Sequence, residues 1–269
     1  MAKKLGLVLG AGGSRGVAHI GFLKALDEEG IKPSFITGSS MGSVVGGCYV
    51  TGMLPKQMEK EIKGLKMSEI FDISINPVGN GALLRAGKMR SKLEKYLKKH
   101  KFKDAKIPFR CVAVDLLSGK TKVFGDNEYI LDGVVASSSI PGVFKPMQYD
   151  DMLLVDGGVS TRLPIDEVRE MGADVVVAVD VLGEVRHTNK KYHIASLIMR
   201  VGEIYDSELT KYKILSQKPD MYLTPELGNM SQYKVKDLDF AIEQGYKLGK
   251  ENAEKIRELM GGALLKAKK

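Results

Sequence analysis

Gly38-Ser39-Ser40-Met41-Gly42 fits the spacing Gly-x-Ser-x-Gly. In a strand-turn-helix setting that pentapeptide holds a serine hydroxyl exposed on a strained turn. The chemistry of such a serine is attack on a carbonyl carbon, and the start of the following helix favours the negative charge that develops. Ser39 is the competing hydroxyl but stands out of register. A plain Gly/Ser-rich turn is the alternative, because the pentapeptide recurs by chance; the strand before it and the small-residue helix after it favour the nucleophile. A second glycine-rich segment, Gly10-Ala11-Gly12-Gly13-Ser14-Arg15-Gly16, invites comparison with the dinucleotide pattern Gly-x-Gly-x-x-Gly. Read from Gly10, the last position is Arg15; read from Ala11, the first glycine is missing, and no acidic residue ends the next strand. A phosphate loop of the Walker type fails at Gly87-Lys88-Met89. What remains is a run of backbone N–H groups without side-chain cover, able to bind an anion. Beside a nucleophilic serine it is an oxyanion hole, where one donor is worth roughly 3–4 kcal/mol. Arg15, a cation in a first helical turn, calls for an anionic neighbour, either a structural carboxylate or a ligand.

A nucleophilic serine needs a base. Of the four histidines, His100 lies in a lysine run, His187 in a polar turn and His193 at the start of a late helix. His19 sits one turn into the first helix, where a hydrogen-bonded structural role is expected. None has the strand-end setting of a triad histidine. Three strands instead end in aspartate, at Asp115, Asp156 and Asp180, and sites in open α/β sheets lie at the carboxyl ends of strands. Asp156 alone is followed by Gly157-Gly158, which lets the chain turn sharply; Asp115 and Asp180 are expected to bind amides of their own loops. An aspartate with an ordinary pKa near ~3.9 is a weak base for a hydroxyl. Burial that raises this value, with proton loss concerted with attack, makes a Ser-Asp pair workable.

Short apolar runs alternating with amphipathic segments position these residues and predict an α/β domain. Leu5–Leu9 reads as a strand, Gly16–Glu29 as a helix, 34–37 as a strand, and the stretch through Val50 as a helix. Further helices are expected from Pro55 to near Leu65, over 88–99, 130–137 and 164–171, and around 194–215 and 237–259. Strands are expected at 109–114, 120–124, 152–155, 174–181 and 221–223, the first two as a hairpin at the sheet edge. Residues 71–87 show no periodicity, so they form either an ordinary loop or an acyl-binding cap carrying Leu83 and Leu84.

The chain has 269 residues, 43% hydrophobic and 28% charged, with 41 Lys+Arg against 33 Asp+Glu for a net charge of +8. That composition excludes disorder, collagen and small disulfide scaffolds. Cys48 and Cys111 sit in apolar runs and read as buried thiols. The basic excess lies largely in lysine-rich solvated faces. With no Trp and no aromatic-interleaved basic stripe, nucleic acid is not an expected partner, whereas peripheral contact with an anionic membrane stays open. No stretch reaches the roughly 18 apolar residues of a membrane span, and Leu5–Leu9 is too brief for a signal-peptide core. A cytoplasmic location is therefore expected.

Taken in order, the glycine loop with Arg15-Gly16, Ala18-His19-Ile20-Gly21, the elbow Gly38–Gly42, Ala136-Ser137, Ile140-Pro141, Phe144-Lys145-Pro146 and Asp156-Gly157-Gly158 resemble the patatin-like phospholipases. The resemblance covers about the first 180 residues; Ile242 and Gly245 in the last helix look like those of bacterial members. It implies a three-layer α/β/α fold with a mostly parallel sheet, and lipid acyl-ester hydrolysis by a Ser-Asp dyad with no cofactor and no metal. Ser40 matches the nucleophile, Gly38 and Gly42 its elbow, Asp156 the base and Gly157-Gly158 the base loop. Gly12, Gly13 and the neighbouring N–H groups of Ser14 and Arg15 match the oxyanion hole. Two positions depart from the family pattern: Ala11 replaces its first glycine, and Arg162 stands where an Asn commonly precedes x-Pro. One domain over 1–269 is expected, with core motifs in 5–182 and helices of 192–269 packed on it. Two other readings stay open, a catalytically weak lipid-binding or regulatory protein and an acyltransferase, and the oligomeric state is not legible.

Overall fold

The computed structural model describes residues 3–63, 72–73, 82–85, 87–187 and 192–261. In chain order the described elements begin with β1 (Leu5–Leu9), a 3-10 turn (Gly13–Val17), α1 (Ala18–Glu28), β2 (Phe35–Ser39), α2 (Met41–Val50) and α3 (Pro55–Ile62). There follow β3 (Asp72–Ile73), β4 (Ala82–Arg85), α4 (Gly87–Leu97), β5 (Phe109–Asp115), β6 (Thr121–Phe124), α5 (Ile130–Ser137), β7 (Gly142–Phe144), β8 (Met147–Tyr149) and β9 (Met152–Asp156). The last are α6 (Ile165–Glu170), β10 (Val175–Val179), α7 (Ile194–Gln217), β11 (Met221–Leu223) and α8 (Leu238–Leu259).

The main sheet has the order β11-β10-β1-β2-β5-β9-β8, with β6 also paired to β5. Its first five strands are parallel and β6, β8 and β9 join antiparallel. Alternate residues of a strand point to opposite faces, and here both faces are covered. Leu5, Leu7, Leu9, Val175, Val177 and Val179 pack with Leu23 of α1, Val45 of α2 and Ile242 and Ile256 of α8. Val8, Val176 and Ala178 pack on the other side with Leu163 and with Ile165 and Val168 of α6. This double cover is why β1 and β10 read as unbroken apolar runs, and it makes the fold the expected three-layer α/β/α sandwich.

Two features differ from expectation. Within 71–87, β3 and β4 form a second small sheet with β7, in the order β3-β4-β7. These strands hold two to four residues and β4 pairs with residues far along the chain, so no periodicity announces them. The rest of that stretch, and the side chains of Leu83 and Leu84 proposed for a cap, lie outside the described residues. The second difference is α7. It is amphipathic as expected, but Ser207 and Thr210 are buried while Ile194, Tyr205, Tyr212 and Leu215 are 70–80% exposed. Its polar side faces the protein and its apolar side faces out.

The last helix, α8, crosses α1 backbone to backbone. A Cβ on Gly245 would stand 1.8 Å from the Ala18 carbonyl oxygen. Among the described residues no helix is long and apolar enough to cross a membrane.

Candidate active site

Between the end of β2 and the start of α2, Ser40 takes φ 52° and ψ −125°, a region that residues with a side chain rarely occupy. The turn fits because Gly42 presses against β1: a Cβ there would lie 2.0 Å from the Leu9 carbonyl oxygen. Hydrogen bonds hold it from both sides. The Ser40 amide donates to Ser137 Oγ at 2.9 Å, and Ser43 Oγ donates to the Ser40 carbonyl at 2.6 Å. The Ser40 hydroxyl then donates to Asp156 Oδ2 at 2.5 Å. Ser39 ends β2 with its hydroxyl buried and without a hydrogen-bond partner.

β5 sets the meeting of these two residues. Ser39 pairs with Val112, and Asp156, at the end of β9, pairs with Ala113, the next residue of the same strand. The segment after α5 adds a second tie, since the Ser139 carbonyl accepts the Asp156 amide at 2.9 Å while Ser137 holds the elbow. Asp156 Oδ1 accepts the Gly158 amide at 2.7 Å. With 5% of its surface exposed, Asp156 is pushed up to about 7, chiefly by burial, and the charge of Asp206 acts the same way. The bonds from Ser40 and Gly158 oppose this. A carboxyl poised near neutrality is a far better acceptor for a hydroxyl proton than an ordinary aspartate.

In the glycine loop, Gly13 has φ 51°, and a Cβ on it would stand 2.2 Å from the Gln232 carbonyl oxygen. That carbonyl accepts the Ser14 amide at 2.9 Å, and Ser14 Oγ shares its proton between the carbonyls of Ser231 and Lys234 at 2.9 and 2.8 Å. The Arg15 amide donates to the Gly12 carbonyl at 3.1 Å. This corrects the four-residue oxyanion hole: the amides of Ser14 and Arg15 are committed to internal acceptors. Those of Gly12 and Gly13 have none among the described residues, as expected where a helical turn begins. Ala11 replaces a glycine without strain, its φ negative and its amide bonded to the Arg162 carbonyl at 3.0 Å.

His19 is fully buried, and its Nε2 lies 2.9 Å from the Gly10 carbonyl oxygen. Burial pulls its pKa down to about 4, so the ring is neutral and Nε2–H donates, holding the entry to the loop. Arg162, at the departure from the family pattern, is buried, with 4% of its surface exposed. It donates to Asp180 Oδ2 at 3.0 Å, to the Gly183 carbonyl at 2.9 Å and to Asp206, tying the base loop to β10 and α7. Asp180 accepts the Leu182 amide of its own loop, as expected, but also this buried cation and the Tyr222 hydroxyl. Asp115 accepts the Leu117 and Ser118 amides of its turn, and the Leu153 amide as well.

Arg15 is 8% exposed, and its Nε and Nη2 are buried without a hydrogen-bond partner. No carboxylate among the described residues forms an ion pair with it. Burial, then the charge of Arg186, lowers its pKa. It borders a cavity of about 540 Å³ together with Arg186, Arg200, Glu203 and Tyr233. Of the other histidines, His193 caps α7 through Nδ1 and His187 lines the cavity. Cys48 and Cys111 are buried free thiols with raised pKa values. Ser137 enters the sequence reading only as part of the Ala136-Ser137 motif of the family resemblance, with no role given to it, and Ser139 and the 231–234 segment are not singled out there.

Residues 7–169, more than half of the chain, match the family described as patatin-like phospholipase. An uncharacterized NTE family protein of Mycobacterium tuberculosis is 37% identical over 183 residues, 67% of this chain and 49% of that protein. The lysophospholipase NTE1 of Coccidioides immitis is 26% identical over 281 residues, 95% of this chain and 18% of that protein. The chain thus spans about half the length of the mycobacterial relative and under a fifth of the fungal one. Among solved structures, VipD from Legionella pneumophila has a TM-score of 0.59 at 14% identity, over 97% of this chain and 67% of that chain, a likeness of fold. The elbow, the glycine loop and the Asp156 loop all fall inside the matched span, and the chain belongs to the patatin-like phospholipase family.

Proposed function

We propose that this chain hydrolyses carboxylic esters of lipids with Ser40 as nucleophile and Asp156 as its base. The observation that carries the proposal is the 2.5 Å hydrogen bond from the Ser40 hydroxyl to Asp156 on a strained strand-to-helix turn. Ser40 Oγ bonds to the ester carbonyl carbon as its proton passes to Asp156 Oδ2. The carbonyl oxygen takes the negative charge and is held by the Gly12 and Gly13 amides. Collapse breaks the bond to the leaving alcohol, which takes the proton from Asp156, and leaves an acyl-Ser40 ester. Water attacks that ester with Asp156 again as base, releasing the fatty acid and restoring the hydroxyl.

A phosphate-bearing lipid is the favoured substrate class, since Arg15 brings to the cavity beside the glycine loop a guanidinium whose Nε and Nη2 have no hydrogen-bond partner. The named activity of the fungal relative, a lysophospholipase, agrees with that chemistry. The test is labelling with a fluorophosphonate probe mapped by peptide mass spectrometry, with Ser40→Ala and Asp156→Asn alongside. Label is expected on Ser40, absent in Ser40→Ala and much slower in Asp156→Asn. A folded protein that takes no label with lipid vesicles present, or label that survives Ser40→Ala, refutes the dyad.

A further inference from the structure

The 24 residues of α7 make a helix about 36 Å long. Ile194, Ile198, Val201, Tyr205, Tyr212 and Leu215 form an exposed row along it. Leu197 and Ile204 widen the row on one side and Leu209 on the other, so at about 100° per residue it fills an arc of about 140°. Only Glu208 and Ser216 interrupt that arc. The opposite side is spent on the protein: Asp206 binds Arg162, Lys213 binds Thr161 and Gln217 binds Asp166. Glu203 binds Arg200 and Gln232 there as well. A surface helix ordinarily buries its apolar side, so the inverted arrangement implies an apolar occupant outside.

We propose that the outer face of α7 docks on an anionic phospholipid bilayer. Its width fits immersion in an interface better than the narrow seam of a helix pair. Tyr205 and Tyr212 place hydroxyls at the depth where tyrosine is favoured. Charge selects the lipid. From Lys190 to Lys218 the chain has six cations and three carboxylates, and two of the carboxylates, Glu203 and Asp206, face inward. The third, Glu208, is paired with Lys211. Lys211 borders the row on one side and the exposed Lys218 stands at its C-terminal end, cations that an anionic surface complements. The inner side of α7 walls the cavity that Arg15 borders, through Ser196, Met199, Arg200, Glu203 and Asp206. A bilayer seated on α7 therefore lies one helix thickness from that cavity.

The surface does not depend on the hydrolytic reading, and its test reads binding alone. Ser40→Ala protein is floated with vesicles of phosphatidylcholine and with vesicles containing phosphatidylglycerol, next to the same protein carrying Ile198→Asp, Tyr205→Ser and Tyr212→Asp. Binding is expected to the anionic vesicles only, to weaken with added salt, and to fall at least tenfold in the triple variant. Circular dichroism and thermal unfolding, unchanged at these exposed positions, establish that the variant is folded. Equal binding of both proteins, equal binding to both vesicles, or no binding overturns the proposal. So does a dimer of the parent protein in light scattering that the triple variant makes a monomer, which would assign the face to a second copy.

Discussion

Replacing Asp156 by asparagine removes a carboxyl that ionises near 3.8 in an unfolded chain and at about 7 in the folded one. Below about 3.8 both states hold the proton and the group is neutral in the comparison. As pH rises from there, the unfolded chain releases a proton that the folded chain keeps, so stability falls until about 7 and then levels. Spread over roughly three pH units at 1.36 kcal/mol each, the penalty reaches about 4 kcal/mol. Asparagine carries none of it and can still accept the Gly158 amide; the bond to Ser40 is already contained in the value of about 7. The net expectation at pH 8 is a variant more stable by about 4 kcal/mol, or roughly 8–16 °C in Tm for a chain of this size. Near pH 4 that advantage disappears. Urea titrations and thermal scans of both proteins at matched pH values from 4 to about 8.5 measure the difference directly, because every other titrating group cancels in the comparison. A difference constant across that range, or an Asn variant less stable throughout, refutes the claim that burial holds this carboxyl near neutrality.

Activity itself should rise with pH through about 7, because only ionised Asp156 can take the serine proton; a profile flat from pH 5 to 8 would contradict that role. Gly13→Ala pushes the loop against the Gln232 carbonyl and should cut kcat by about 100-fold or more, measured on a soluble ester, with Ser40 and Asp156 untouched. Arg162→Leu strands Asp180 and Asp206 and should cost about 3–5 kcal/mol in urea unfolding; adding Asp206→Leu should return part of it. Arg15→Met should raise KM about tenfold for a lysophospholipid and leave a neutral monoacyl ester nearly unaffected, the loss of one charge-assisted contact.

The elements nearest the chemistry were legible because their signals are local. β1, β9 and β10 are nearly unbroken apolar runs, and the two glycine-rich turns come as strands end. α5, Ile130–Ser137, matches its expected bounds because Pro141-Gly142 stops it soon after. Illegible were the contacts that cross the chain. Nothing local marks Ser137 as the acceptor of the Ser40 amide, or Arg162 as the cation between Asp180 and Asp206. The periodicity of α7 is the same whichever side faces inward, so sequence gives its existence and hides its orientation. The expectation that the Ser14 and Arg15 amides are free is too broad, because committed and free amides look alike until their acceptors are seen.

The grip of the Ser231–Lys234 segment on Ser14 also orders events in time. The hydroxyl of Ser14 reaches carbonyls 217 and 220 residues away, so a chain growing from the ribosome has Ser40 and Asp156 before it has the residues that hold the glycine loop. At about 5–20 residues per second, the interval is several seconds. During it, the nascent chain lacks the brace on the loop proposed to hold the oxyanion. Preorganisation of the proposed Gly12 and Gly13 donors therefore waits for Ser231–Lys234 to be made, and a truncation that ends before Ser231 should be inert toward esters.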